Sequence, residues 1–409
     1  MTSHRRNSCR ACGGGDVVSV LDLGQQPLAN ALPTNTSDPE ATYPLELSCC
    51  ADCGLAQLMD VVDPETLFGH YLYVSGTSPH MREHWQELAE DAAHRVSLKT
   101  DDLVIEIASN DGTLLTEFQA LGASVLGVEP AANIVELALG RGIPTHHAFF
   151  DSNTAREIRE SHGTAKIVTA NNVLAHVDDT LDFLRGAASL LSDDGLLITE
   201  VPFAGNLVKD VEFDTIYHEH LCYFSLSPLL TLFERAGLAV IDAVDQSVHG
   251  GTLRIVARRG EKHSEKVHDR VRTEIESGVL EIDTWLKFAD AVISNREKMQ
   301  ALVTTLKSNG ANLWGYGSPA KASTLLNYCN IGPDQITATA DRSPLKVGRY
   351  VPGVHIPICS VEELLEDAPD YVLILAWNLS TEIRTALGSL EAKGTRFIVP
   401  HPTPGELCS

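Results

Sequence analysis

With 409 residues, the chain is long enough for two or three domains with a sizeable core, and its 44% hydrophobic content is that of an ordinary soluble protein. A formal net charge of -24 repels nucleic acid and anionic lipid and excludes both as partners, so a phosphate-bearing ligand has to be held by local amides and a few cations. No apolar run approaches the roughly 18 residues of a membrane span, and Arg5-Arg6 is followed by polar Asn7-Ser8. The chain is therefore expected to stay in the cytoplasm.

Nine cysteines in a reducing compartment, several in close pairs, point to metal before disulfide. Cys9-Arg10-Ala11-Cys12-Gly13 and Cys50-Ala51-Asp52-Cys53-Gly54 are two Cys-x-x-Cys knuckles, each followed by glycine, which frees the backbone where amides turn in toward sulfur. Two such pairs complete a closed tetrahedral S4 site, so Cys9, Cys12, Cys50 and Cys53 are expected to hold a structural zinc, with Cys49 as a rival to Cys50. Between the knuckles, Leu21 to Asn30 is rich in turn formers, and Pro33 to Pro44 reads as a loose linker.

Next come Tyr71-Leu72-Tyr73-Val74-Ser75-Gly76-Thr77-Ser78-Pro79 and a helical pattern from His80 to about Val96. The alternating tyrosines read as a plain strand and turn; the other reading hangs Tyr71 over a neighbouring pocket, its hydroxyl free to donate to an oxyanion.

From Asp102 short apolar strands alternate with amphipathic helices, the pattern of a parallel sheet covered on both faces. Leu103 to Ile107 runs into Ala108-Ser109-Asn110-Asp111-Gly112 and a helix beginning near Thr113. About twenty residues on, Ser124 to Glu129 places a carboxylate at a strand end, where it can take ribose hydroxyls. The first loop carries only Gly112, not the Gly-x-Gly-x-x-Gly of a dinucleotide site, which counts against NAD. Further strands are read from Lys166 into Asn171-Asn172 and from Leu196 to Val201 after a turn at Ser192 to Gly195. A helix from about Pro228 to Gly237 precedes two strands, Ala239 to Asp245 and Thr252 to Arg258.

Before that helix, Tyr217-His218-Glu219-His220 packs acid/base groups and a phenol into consecutive positions. A strand would split them between two faces, whereas a tight loop could gather several onto one site, ending in Tyr223-Phe224 and capping serines Ser225 and Ser227.

The stretch from Glu261 to Gly310 is helical in period. Leu313 to Ser323 then gives a strand, a glycine turn and a helix start, where amides, Gly317, Ser318 and Lys321 could hold a pyrophosphate. Further strands at Ile336 to Ala340, Tyr371 to Ala376 and Arg396 to Val399 complete a second Rossmann-like layer.

Taken together, Glu106-x-x-Ser109-Asn110-Asp111-Gly112, Glu129, Asn171-Asn172 with His176, and Tyr217-His218-Glu219-His220 behind a two-knuckle module resemble the S-adenosylmethionine-dependent C-methyltransferases of nucleotide-linked 4-keto deoxysugars of antibiotic pathways. The resemblance covers essentially the whole chain. It implies an α/β fold: a class I methyltransferase domain over residues 71–260, between a zinc-binding module over 1–70 and a Rossmann-like domain over 261–409 for the nucleotide of the sugar. It implies that Glu106, Ser109, Asn110 and Gly112 line the methionine part of S-adenosylmethionine. Glu129 then takes the ribose, Phe149 or Phe150 the adenine edge, and Asn171 the sulfonium side. Ser75, Gly317, Ser318 and Lys321 fall on the side of a dTDP-linked substrate.

Carbon methylation next to a ketone needs a base near neutral pKa, an anchor for it and donors to an enolate oxygen. His220 is the expected base with Glu219 as its positioner, the reverse assignment being equally permitted; Tyr71 and Tyr217 are the expected donors, and His176 a further polar wall. The alternative activity is an NAD(P)-dependent nucleotide-sugar oxidoreductase using the loop at Gly315.

Overall fold

The computed structural model describes residues 3–77, 79–260 and 262–407. Ser78 of the bridging segment and Glu261 at the expected third boundary lie outside the described residues.

The strands Leu103–Ile107, Ser124–Glu129, Ala165–Asn171 and Leu191–Pro202 carry Val, Ile or Leu where they cross the core, as parallel strands covered on both faces do, while Thr145–His147 is a short polar strand at the sheet edge. Together with Leu238–Gln246 and Thr252–Arg259 they form a seven-stranded sheet. Thr252–Arg259 is inserted antiparallel between Leu191–Pro202 and Leu238–Gln246, and the remaining neighbours pair in parallel. One face is covered by Trp85 and Leu88 from the helix Pro79–Val96 and Phe118 from Thr113–Ala120. The other is covered by Phe183 and Leu184 of Thr180–Leu190 and Phe233 of Leu226–Arg235. The turn expected at Ser192 to Gly195 is instead a bulge inside one long strand, where pairing with Ala165–Asn171 shifts register between Leu191 and Leu196.

A buried hydrogen-bonded triad pins Pro79–Val96 to this sheet. Glu200, wholly buried, accepts from Arg254 Nε at 2.7 Å and lies 2.9 Å from His84 Nε2. Each charge there is paired, which is the condition on which a core tolerates it.

The N-terminal sheet runs Val17–Pro27, Thr42–Cys50, Ala56–Leu58 and then Cys222–Tyr223, all antiparallel. Leu21 to Pro27, expected as turns, is strand: its turn formers are absorbed by two register shifts. Pro33 to Pro44 is no loose linker, because Glu40 accepts from the Gly353 amide at 2.9 Å and pairs with His355. The third sheet is parallel from Ile358–Cys359 through Thr339–Ala340, Leu313–Tyr316 and Tyr371–Ile374 to Arg396–Val399, with Gly405–Glu406 antiparallel at its edge. The expected helical stretches after Val279 form a single helix, Ile282–Ser308. Its Trp285, Val292, Met299 and Leu306 pack into a core shared with the N-terminal and third sheets. Among the described residues no helix is long and apolar enough to cross a membrane.

Candidate active site

The cofactor loop begins where Leu103–Ile107 ends. Ala108, Asn110 and Gly112 all take left-handed backbone, at φ 55°, 49° and 75°. At Gly112 the reason is steric as well, since a Cβ would stand 2.9 Å from Ile143. This coiling brings Glu129 over the loop, its carboxylate accepting from the Asn110 and Ala131 amides, each at 3.0 Å. Beside it, Glu106 Oε2, the Ser109 hydroxyl and both polar atoms of the Asn171 amide are buried without a protein partner. Burial, then the nearby Asp111 and Glu129, drives the Glu106 carboxyl well above the usual range. Orphaned polar groups in a cleft at the carboxyl edge of the sheet are what a polar ligand would satisfy, so the residues present fit S-adenosylmethionine. Of the two phenylalanines, Phe149 is exposed, while Phe150 packs edge-on against Phe183 at 5.2 Å in the core. Phe149 is thus the one available to an adenine edge.

The segment Tyr71 to Thr77 forms no strand; it crosses the cofactor loop as coil ending in a 3-10 turn, Ser75–Thr77. Asn133 holds Tyr71 by both backbone groups (3.2 and 2.7 Å), and Asn110 does the same for the Ser75 amide and the Tyr73 carbonyl (2.9 and 3.1 Å). This clamp places Tyr71 against Glu219, to which its hydroxyl donates.

The Tyr217 to His220 stretch is a tight turn closed by the His220 amide on the Tyr217 carbonyl at 2.8 Å. It gathers the side chains as the loop reading required. His220 Nδ1 lies 2.9 Å from the Thr215 carbonyl and Nε2 lies 2.8 Å from the Tyr217 hydroxyl. A carbonyl only accepts, so Nδ1 carries the proton and Nε2 takes the phenol's hydrogen. The backbone of Thr215, not Glu219 as expected, therefore orients this imidazole. Glu219 is 3% exposed and accepts from Asn30 Nδ2 at 2.6 Å. Burial raises its carboxyl to about 7, with Asn30 and Tyr71 opposing. His176 stands edge-on to His220 at 4.8 Å and to Phe68 at 5.6 Å, and burial, then His220, holds it well below the usual histidine range. His218 faces away, buried against the Tyr43 and Pro44 carbonyls. Nor do Ser225 and Ser227 cap the next helix with their side chains: Glu274 accepts the Leu226 and Ser227 amides at 2.6 and 2.9 Å.

The raised Glu219 carboxyl carries a stability consequence. Between about pH 4.5 and 7 the unfolded chain gives up this proton while the folded one keeps it, so stability falls as pH rises through that window and levels off above it. Glu219→Gln should remove a loss of roughly 3 kcal/mol, seen as a variant that gains thermal stability over the native chain at pH 8 but not at pH 4.5. Parallel melting curves at both pH values would refute this.

The sulfurs of Cys9, Cys12, Cys50 and Cys53 all lie within 4.8 Å of one another, with Cys9 to Cys53 and Cys12 to Cys50 each at 3.6 Å. A tetrahedral zinc with Zn–S near 2.3 Å needs sulfur spacings of roughly 3.8 Å, so the cluster fits that ion. Cys49 is excluded, since its side chain sits in the apolar core with Leu21 and Leu47. The knuckle is wired to the turn. Arg10, between the first two cysteines, pairs with Asp178 at 3.0 Å. The Leu58 amide donates to Leu221 at 2.9 Å, and the Leu221 amide to Ala175 at 2.7 Å.

The pyrophosphate cradle expected at Gly317 to Lys321 has its donors turned inward. The Ser318 amide goes to Asp341 at 2.7 Å and its hydroxyl to Thr339 at 2.7 Å. Lys321 reaches Asn378 and lies 4.0 Å over the Trp377 ring, facing Asp214 and Glu212. Gly317, at φ 85°, turns the chain here. Asn30 and Asn133 were not legible as site residues because each acts through a contact with a distant part of the chain, and Thr215 was not because it acts through a backbone carbonyl that its side chain does not mark.

Family models match the chain in order: a zinc binding domain over residues 9–68, a methyltransferase domain over 81–243 and a C-methyltransferase C-terminal domain over 247–402. C-methyltransferase NovU of Streptomyces niveus is 38% identical over 403 residues, covering 97% of this chain and 96% of that protein. A ubiquinone biosynthesis O-methyltransferase of Colwellia psychrerythraea is 28% identical over 160 residues, 35% of this chain and 63% of its own length. Among solved structures, magnesium protoporphyrin IX methyltransferase of Synechocystis with bound SAH aligns at a TM-score of 0.35 and 15% identity, over 44% of this chain and 83% of that one.

Proposed function

This chain belongs to the S-adenosylmethionine-dependent C-methyltransferases, and from that premise we propose that it methylates C3 of a dTDP-linked 4-keto deoxysugar through an enolate, in antibiotic deoxysugar biosynthesis. The work would be divided between a zinc module over 1–70, a cofactor domain over 71–260 and a nucleotide-sugar domain over 261–409. The observation that carries the reading is the meeting of Tyr71, His176, Tyr217, Glu219 and His220 in one cleft beside the cofactor loop. S-adenosylmethionine supplies an electrophilic methyl group. The sugar has to supply a carbon nucleophile, which forms as an enolate when a side-chain base takes the acidic hydrogen next to a ketone.

His220 is the base of this scheme. With Nδ1 tied to Thr215, its Nε2 holds the basic lone pair, shared with Tyr217 until a substrate hydrogen takes that place. Charge would then build on the ketone oxygen, and the Tyr71 hydroxyl would meet it by turning its one hydrogen from Glu219 to that oxygen. His176, kept neutral by burial, adds no positive charge that would lower the basicity of His220. Glu106, Ser109, Asn110, Gly112, Glu129, Phe149 and Asn171 would hold the cofactor. Ser75, whose amide donates to Asn110 of the cofactor loop, would contact the sugar substrate.

A panel of 4-keto nucleotide sugars incubated with the protein and S-adenosylmethionine, then weighed by mass spectrometry, tests the proposal. A gain of one methyl group on the sugar ring of a dTDP-linked member is expected. Methylation confined to oxygen or nitrogen, or to sugars without the ketone, would defeat it.

A further inference from the structure

Asp214 is wholly buried, one residue before the carbonyl that orients His220, and its surroundings come from the far end of the chain. The Trp377 indole N–H donates to Asp214 Oδ2 at 2.8 Å, while His401 Nε2 lies 3.1 Å from Oδ1 without the alignment of a hydrogen bond. The His401 ring stands edge-on to both Phe213 and Trp377 at 5.3 Å, closing the pocket. Next to it, the Thr324 hydroxyl donates to the Ile216 carbonyl at 2.9 Å. The turn Phe213–Thr215 is thus gripped on both sides by the C-terminal third.

A carboxylate with no solvent costs several kcal/mol unless it is paired, and in some proteins such a group is kept because it fixes one conformation among several. Here the fixed conformation has a recipient. The Thr215 carbonyl accepts from His220 Nδ1 at 2.9 Å, and its direction is that of the Thr215–Ile216 peptide, whose amide is held to the Phe213 carbonyl at 3.0 Å across the turn that contains Asp214. Rotating that peptide away would free Nδ1 and let the proton move to Nε2, where a base needs a lone pair.

We propose that Asp214 is a positioning residue for His220: anchored by Trp377 and covered by His401, it sets the Thr215 carbonyl and so the tautomer in which the imidazole is basic at Nε2. The proposal rests on the reading of His220 as base. It gives the C-terminal third a part in the chemistry beyond holding substrate.

The test uses the full-length, zinc-loaded protein labelled with nitrogen-15 at histidine. In the native chain His220, assigned by its absence in His220→Asn, should show the Nδ1–H tautomer alone. Trp377→Phe keeps the ring and removes the donor, and Asp214→Asn keeps the shape and removes the charge. Both should give a mixture of tautomers and a roughly tenfold fall in kcat, with S-adenosylmethionine affinity unchanged by calorimetry. Asp214→Ala should lose more than Asp214→Asn, which still offers an oxygen to Trp377. A His220 spectrum identical to native in folded, cofactor-binding Trp377→Phe would overturn the proposal, whatever happens to the rate. If instead His220→Asn leaves substrate hydrogen exchange untouched, the base assignment fails, while the tautomer measurement still decides whether Asp214 positions the ring.

Discussion

Replacing His220 by asparagine is expected to cut methyl transfer by roughly 10²–10⁴-fold, the usual worth of a positioned general base. The substitution keeps a planar amide that can still donate toward the Thr215 carbonyl, which now lies 2.9 Å from Nδ1, but it has no group able to take a proton. Because the loop at Ala108 to Gly112 and the strand-end Glu129 are untouched, S-adenosylmethionine should bind as before. Exchange of the hydrogen next to the ketone with solvent deuterium should slow as much as the overall reaction. Calorimetry and mass spectrometry read these two quantities separately. Exchange at the native rate would move the base to Glu219, whose carboxyl, raised by burial to about 7, is the other group in the cleft suited to the task. Glu219→Gln would then show the large fall, rather than the smaller one expected of a group that backs Tyr71.

Loss of zinc should be as damaging by a different route. Structural zinc contributes roughly 10–16 kcal/mol in small S-ligand modules, more than the whole net stability of a typical domain. Cys50→Ser removes one of the clustered sulfurs and is expected to unravel the Ala56–Leu58 strand. With it go the pairing to Cys222–Tyr223 and the Asn30 amide that holds Glu219. Methyl transfer should drop below detection. Cofactor affinity should change by less than tenfold, because one face of the central sheet is covered by Trp85, Leu88 and Phe118 with no residue of the zinc module among them. Metal analysis and amide exchange at Leu58 and Leu221 check the chain of cause. A zinc-free variant that still methylates would refute it.

Local chemistry made much of this readable from the residues alone. Apolar runs marked the strands beginning at Leu103, at Ser124, near Lys166 and at Leu196 but not the polar Thr145–His147, the knuckle spacing marked the metal cluster, and Gly112 marked the cofactor loop. Interactions between remote segments were not readable. Tyr71 to Thr77 alternates like a strand, yet Asn133 and Asn110 satisfy its backbone and leave it as coil. Leu21 to Pro27 looks like turns, yet bulges let a strand absorb them. Glu219 and His220 are neighbours in sequence, which suggested a pair; the turn sends one to Asn30 and the other to Thr215. Lys321 looked like a phosphate ligand only while Trp377 and Asp214, far away in the chain, were out of sight.

Cys222–Tyr223 forms the edge of the N-terminal sheet although it lies well over a hundred residues downstream in the chain. A chimera that exchanges the front of this protein as a cassette would therefore cut through a sheet whose last strand stays behind with the recipient. Breakpoints for altering substrate range have to carry both pieces together, or the donor's front end will arrive with a bare edge and the recipient's reactive turn with nothing to lean on.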